Sequence, residues 1–233
     1  MKSQCFLRLI LVVGVAAFAV TFTACGNRNE QAMANSTVPS ANSMTETKER
    51  IDSKPLVIYF SRGINTASDE SIDAVTGPSL KVDGTGFRSD EQVLAEWIAE
   101  ETKGDLFPIQ TVRKYPTGYE NILEVGKREK TEDARPALSS HLENLNDYRT
   151  IYFVYPNWWG DLPMPVYSFF DEYDFSGKKI FAVVISGGGG FAGTVSYIRQ
   201  LEPKADVVEG IEIYKRDMEK AQERIISWLH SEK

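Results

Sequence analysis

The sequence is poor in the residues that build metal and disulfide sites. Its 233 residues hold two cysteines, Cys5 and Cys25, and two histidines, His141 and His230, which stand far apart without companions at ligand spacing. Beyond residue 25 there is no disulfide, no iron–sulfur cluster and no thiolate zinc site, and the histidines read as surface residues. Basic residues are also in deficit: 26 Lys and Arg against 33 Asp and Glu give a formal charge of −7. The first 24 residues carry only Lys2 and Arg8, so the rest of the chain has 24 basic against 33 acidic groups. Such a surface suits neither nucleic acid nor anionic lipid. The one long apolar run is short for a transmembrane helix, which needs about 20 residues.

That run works instead as an address. Lys2 and Arg8 precede Leu9-Ile-Leu-Val-Val-Gly-Val-Ala-Ala-Phe-Ala-Val-Thr-Phe22, the charged-then-apolar order of an export signal. It ends in Phe22-Thr23-Ala24-Cys25-Gly26. This resembles the bacterial lipobox, with Phe22 where Leu is usual, and the resemblance implies that Cys25 is diacylated and becomes the mature N-terminus. An ordinary secretory signal, or a retained anchor with Cys25 incidental, is the alternative. From Gly26 to about Ser53 the chain is Asn, Ser, Thr, Glu and Lys with few large apolar residues. It cannot bury enough surface to offset its ordering entropy. The expected organisation is a signal peptide over 1–24, a lipidated N-terminus and flexible tether over 25–53, and a globular domain over 54–233, exported to the bacterial cell envelope and touching the membrane through its lipid alone.

From Pro55 onward, short runs of β-branched and aromatic residues alternate with longer stretches of helical period, which argues a mostly parallel sheet with helices on both faces. Strands are expected at Leu56–Phe60, Leu106–Gln110 (the weakest), Ile151–Tyr155, Ile180–Ile185 and about Val207–Ile213. Helices are expected to start near Asp90, Tyr119, Pro163 and Thr194. An amphipathic helix over Lys215–Ser231 closes the chain, with Met218, Ala221, Ile225, Trp228 and Leu229 on one stripe. Two common strand orders fit, one of them the doubly wound five-stranded order 2-1-3-4-5. In either, the loops that leave the strands gather at one edge, where ligands bind.

Three of those loops are unusual. Ser61-Arg62-Gly63-Ile64-Asn65-Thr66 can turn hydroxyls and backbone N–H groups toward a phosphate, although many turns share that composition. Pro156-Asn157-Trp158-Trp159-Gly160-Asp161 carries two adjacent indoles that must cover something flat or pack on the core. Ser186-Gly187-Gly188-Gly189-Gly190-Phe191 follows a buried strand directly, so its glycines suggest close passage by another group rather than a linker.

The residues Tyr115-Pro116-x-x-Tyr119, Ala134-Arg135-Pro136-Ala137-Leu138, Pro156-x-Trp158-Trp159-Gly160-Asp161-Leu162-Pro163-Met164-Pro165, Phe175-Ser176-Gly177-Lys178 and the glycine loop through Phe191 resemble the flavodoxin-like family of bacterial proteins, related to flavodoxins and flavin-dependent quinone reductases. With Tyr59-Phe60-Ser61 they cover nearly all of residues 55–213. The resemblance implies the 2-1-3-4-5 order and flavin mononucleotide (FMN) as cofactor. It implies that Ser61, Asn65 and Thr66 hold the phosphate. Pro156, Asn157, Trp158, Trp159 and Gly160 would line one side of the ring, and Gly187, Gly188, Gly189 and Phe191 the other.

The first loop departs from the family pattern. Ile64 stands where that pattern has glycine, and β-branched residues resist φ > 0, so the backbone must differ. Residues 67–88 read as an insertion within the phosphate loop, which would move part of the anion site to Arg88 and Ser89. Yet Ser89-x-x-Gln92 also reads as a capping box, Asp90 and Glu91 would repel phosphate, and Arg62 and Arg88 would offset that charge or lie on the surface. Loss of a hydroxyl at Ile185 and in the glycine loop bears on how tightly flavin is held. Three functions compete: an FMN electron carrier at the envelope serving a redox partner protein or quinone, an NAD(P)H-dependent quinone or flavin reductase, and a flavin-free binding or structural lipoprotein. No residue stands out as a catalytic acid or base.

Overall fold

A computed structural model describes residues 54–66, 80–82 and 87–232. The expected signal peptide, Cys25, the tether and most of the expected insertion lie outside the described residues. Strands β1 (Leu56–Phe60), β4 (Asp105–Ile109), β5 (Thr150–Pro156), β6 (Lys179–Ser186) and β7 (Asp206–Tyr214) form one parallel sheet in the order β4-β1-β5-β6-β7. Counting these five strands alone, the order is 2-1-3-4-5, as the resemblance implies. Between them run α1 (Asp90–Thr102), α2 (Tyr119–Thr131), α3 (Met164–Glu172) and α4 (Thr194–Leu201), and α5 (Ala221–Ser231) comes after the last strand.

The two faces of the sheet arise from the period of two along each strand. In β1, Leu56, Ile58 and Phe60 point into one core with Ile122 of α2, Val166 and Phe169 of α3, and Ile198 of α4. Val57 and Tyr59 point into the other, with Leu94 and Ile98 of α1 and Ile225 and Leu229 of α5. Every residue of β1 is buried, which is why it reads as an unbroken apolar run. Strand β4 has a weaker signal because it is the edge strand, where Pro108 is tolerated opposite Tyr59.

Two elements differ from expectation. In and just past the end of the expected insertion, β2 (Leu80–Val82) and β3 (Phe87–Ser89) pair antiparallel, and β3 runs straight into α1 beside the Gly63–Asn65 turn. Three-residue strands are too short to show a period, so no pattern of residues announces this ribbon. The closing segment starts as 3₁₀ turns over Lys215–Lys220 before α5 begins at Ala221. This tighter winding is common where a helix leaves a connection.

The Phe175-Ser176-Gly177-Lys178 motif serves the opposite edge of the sheet. Phe175 is fully buried, Gly177 has φ +72°, and the Lys178 ammonium donates to the carbonyls of Leu145 and Tyr148, each at 2.8 Å. Among the described residues no helix is long and apolar enough to cross a membrane.

The β6–β7 register shifts between Ala182 and Val183, leaving Gly210 as the extra residue of a bulge. A Cβ there would sit 2.7 Å from both the Ala182 carbonyl oxygen and Cζ2 of Trp228. Gly210→Ala must therefore push two strands or the α5 indole apart. The expected loss is about 1–3 kcal/mol of stability, as for overpacking, read as a lower urea midpoint at unchanged slope.

Candidate functional site

The loop leaving β1 winds into a 3₁₀ turn over Gly63–Asn65 in which Ile64 keeps negative φ. Its side chains divide sharply. Ser61 is fully buried, and its Oγ has no hydrogen-bond partner among the described residues. Asn65 is equally buried, but its amide is engaged on all sides. Nδ2 donates to the carbonyls of Ser61 and Ile109, both at 2.9 Å, while Oδ1 accepts from the Thr111 N–H at 2.7 Å and its hydroxyl at 3.1 Å. Thr66 turns its hydroxyl back to the Arg62 carbonyl, at 2.8 Å. Asn65 and Thr66 thus lock the turn to the end of β4, and their side chains are used within the fold.

Arg62 is buried, not the surface residue that arginine usually is; its guanidinium donates to the carbonyls of Pro116 and Thr117, just before α2. Arg88 is half-exposed and pairs with Glu96. Ser89 is the N-cap of α1, its Oγ accepting from the Gln92 N–H at 3.3 Å. The first turn of that helix holds Asp90 and Glu91, both buried. Burial pushes the Glu91 carboxyl up to about 7, against the opposing pull of Lys215.

At the end of β5, Trp158 and Asp161 exchange backbone hydrogen bonds of 3.0 and 3.1 Å around Trp159 and Gly160, whose φ values are +53° and +78°. This is the geometry of a primed two-residue turn, which glycine accepts and tryptophan does not favour. Asp161 fixes the turn from outside, its carboxylate accepting from the Leu162 N–H at 2.7 Å and Tyr167 at 2.6 Å and pairing with Lys130 at 3.0 Å. Trp158 packs edge-on against Phe60 and Tyr115, with centroids at 5.7 and 5.8 Å. Trp159 is 42% exposed and lies against Gly126 of α2.

The glycine loop is joined to that turn by Asn157. Its Nδ2 donates to the Gly190 carbonyl at 2.7 Å, its Oδ1 accepts from the Gly160 N–H at 2.8 Å, and its backbone N–H continues the sheet to Ile185 at 2.9 Å. Gly190 takes φ +56°, and its N–H donates to Ser186 Oγ at 3.0 Å. Gly187 and Gly188 instead face open space, with no atom within 4 Å of where a Cβ would stand. Phe191 turns back onto the core.

These loops border a cleft of ≈ 260 Å³ lined by Arg62, Glu91, Tyr119, Asn157, Trp158, Trp159, Gly187 and Lys215, and by Ile122 and Leu123 of α2. Of the residues singled out in the sequence, Arg62, Asn157, Trp158, Trp159 and Gly187 meet here. Gly160 and Gly189 adjoin it through Asn157. Ser61, Asn65, Thr66, Arg88, Ser89, Pro156, Gly188 and Phe191 are not among its lining residues. Sequence reasoning missed Lys215, Tyr119 and the position of Glu91 in the wall. Lys215 comes immediately after β7, and that position at the ligand edge was the available signal. A larger groove of ≈ 710 Å³ lies between Arg113 and Arg135, and no residue leaving β1, β5 or β6 lines it. Among the described residues no group of three or more His, Cys, Asp or Glu could hold a metal.

The orphaned Ser61 hydroxyl, the open face of Gly187 and Gly188 and the indole wall suit a flat ligand with a polar tail. Solved structures similar to this one share its architecture. A protein described as a flavoprotein, from Bacteroides eggerthii, superposes with a TM-score of 0.58 at 23% identity, covering 77% of this chain and 98% of its own. Another so described, from Bacteroides uniformis, gives 0.55 at 24%, covering 74% and 97%. A flavoprotein from Lactobacillus acidophilus in complex with FMN gives 0.46 at 16%, covering 72% and 97%. No curated protein matches the sequence. The model of the flavodoxin family matches residues 88–231, more than half of the chain and four of the five sheet strands, and the chain belongs to that family.

Proposed function

We propose that this flavodoxin binds FMN in the strand-end cleft and transfers electrons at the bacterial cell envelope, held to a membrane by a lipid on Cys25. The observation that carries the reading is the Asn157 clamp. It ties an aromatic turn and a glycine loop together beside the strand-end cleft that both of them line. At ≈ 260 Å³ the cleft lies near the small end of ligand pockets, which run from roughly 300 to 1,000 Å³. A flat ligand only partly enclosed suits it better than a fully enclosed substrate.

When bound, FMN supplies one- and two-electron chemistry. The chain supplies the walls: Trp158, Trp159 and Tyr119 for stacking, backbone groups of Asn157, Gly160 and Gly187–Gly189 for the ring edge, and Ser61 and Arg62 toward the tail. Arg88 and Ser89 would approach the tail only from the α1 side. The acidic surface opposes added negative charge, which favours giving electrons over keeping them. An exported protein meets little free nicotinamide, so carriage between a donor and a partner protein or quinone is preferred to hydride chemistry. The lipobox resemblance at Cys25 and the polar tether after it support the envelope location.

The protein extracted from membranes in detergent should show the visible flavin spectrum or acquire it with excess FMN. NADH or NADPH alone should leave it oxidised; bleaching by either would make the protein a reductase, and absence of any flavin spectrum would leave a flavin-free lipoprotein of this fold. Trp159→Ala should weaken flavin binding by about 1–3 kcal/mol, on the scale of base–aromatic stacking, at nearly unchanged thermal stability. Trp158→Ala should weaken binding and lower stability together, because its ring also packs on Phe60 and Tyr115. Equal affinity in both variants would return the indoles to packing alone.

Cys25→Ser should abolish incorporation of labelled fatty acid and move the protein from the detergent phase to the aqueous phase. A lipid-labelled Cys25→Ser variant would place the anchor elsewhere.

A further inference from the structure

Glu91 is 1% exposed and stands in the first turn of α1. Its Oε2 has no hydrogen-bond partner among the described residues, yet it forms part of the cleft wall together with Arg62 and Lys215. The charged groups that act on this cluster come from each element around it. Arg62 leaves β1, Lys215 comes directly after β7, Asp90 precedes Glu91 on α1 with the Ser89 hydroxyl beside it, and Tyr119 opens α2. Burial lowers both cations below their ordinary range, and Glu91 raises both.

A buried arginine and a half-buried lysine beside the start of a helix make a natural seat for an anion. In this chain the seat already contains a carboxylate. Ser89 has taken one N–H of the first turn, and Asn65 and Thr66 have turned inward. The groups left unsatisfied include a hydroxyl, Ser61 Oγ, and a carboxylate oxygen, Glu91 Oε2. An incoming phosphate meets its cations only if Glu91 gives up its charge.

Resting on the FMN reading above, we propose that Glu91 and the phosphate of FMN compete for the Arg62–Lys215 pair, so that FMN binds together with one proton taken from water onto the Glu91 carboxylate, whereas riboflavin, which lacks the phosphate, binds without it. The ionised form of Glu91 neutralises the cations and repels the phosphate; the protonated form does neither. Since Glu91 loses its proton at about 7 in the free protein, the competition falls in the neutral range.

The test compares FMN and riboflavin by fluorescence quenching from pH 7 to 8.5, where the phosphate, with its second ionisation near 6, is already fully charged. FMN affinity should fall toward tenfold per pH unit, the limit for uptake of one proton, while riboflavin affinity stays flat. Glu91→Gln keeps the shape and removes the charge. It should flatten the FMN profile, tighten FMN at pH 8.5 by about tenfold or more, and leave riboflavin unchanged. A flat FMN profile in the wild type, or an equally steep one in Glu91→Gln, overturns the competition and leaves FMN binding standing.

Failure of both flavins to bind sinks the FMN reading instead, and the seat is then probed with inorganic phosphate. Phosphate should raise the melting temperature of the wild type at pH 6.5 but not at 8.5, and that of Glu91→Gln at both; equal effects in the two proteins overturn the assignment. The ligand-free protein gives a further readout. A carboxyl held above its unfolded value keeps its proton longer in the folded state, so stability falls as pH rises from about 4.5 toward 7 and then levels off. Glu91→Gln should lack that fall, and a parallel decline in both proteins would count against Glu91.

Discussion

The site depends on one side-chain amide. Asn157 bonds the turn after β5 through Oδ1 and the loop after β6 through Nδ2, while its own N–H extends the sheet between them. Loops that leave neighbouring parallel strands have no ladder to hold them once the strands end, and each alone would sample many conformations. With both tied to Asn157, the indoles and the glycines become two walls of one cleft. The open space beside Gly187 and Gly188 is then a property of the fold, because the loop is anchored on either side, at Ser186 and at Gly190.

The end of the cleft near β1 is built on different terms. In the family's usual loop a glycine frees the backbone to wrap an anion; here Ile64 denies that conformation, and a 3₁₀ turn pinned by Asn65 takes its place. Once that turn is fixed to β4, Arg62 is drawn inward to the carbonyls before α2. The β2–β3 ribbon returns the chain beside the same turn and delivers Glu91 to the wall. A buried arginine and a buried glutamate in one cleft result from a single change of loop conformation, with Lys215 completing the balance from the far strand.

How much of this is legible in the sequence tracks how local each determinant is. Buried parallel strands announce themselves as apolar runs, so β1, β5 and β6 can be placed within a residue or two, and the starts of α1, α2 and α4 can be placed because the period changes abruptly there. The aromatic turn and glycine loop stand out because their composition has no local explanation. Other features depend on distant partners. Arg62 reads as a surface residue because its carbonyl acceptors lie more than fifty positions away. Asn65 reads as a ligand group because nothing nearby reveals that Ile109 and Thr111 claim its amide. Glu91 is recognisable as hostile to phosphate, but its place beside Lys215 needs the sheet order. Residues that line a cleft from one strand end are visible in sequence, whereas the balance of charge across it is a tertiary property.

Trp159 shows how strongly the fold insists on that wall. A non-glycine residue at φ +53° is strained, and a glycine inside a helix costs about 1 kcal/mol relative to alanine. Both are present at one contact: a Cβ on Gly126 would stand 2.8 Å from Cη2 of Trp159 and 2.9 Å from Cζ3, so α2 is weakened at the position where the strained indole rests. Packing alone would be better served by a smaller residue in the turn and an alanine in the helix. Keeping tryptophan against glycine makes sense when the indole must hold its position beside the cleft while 42% of its surface stays exposed, available to whatever the cleft receives.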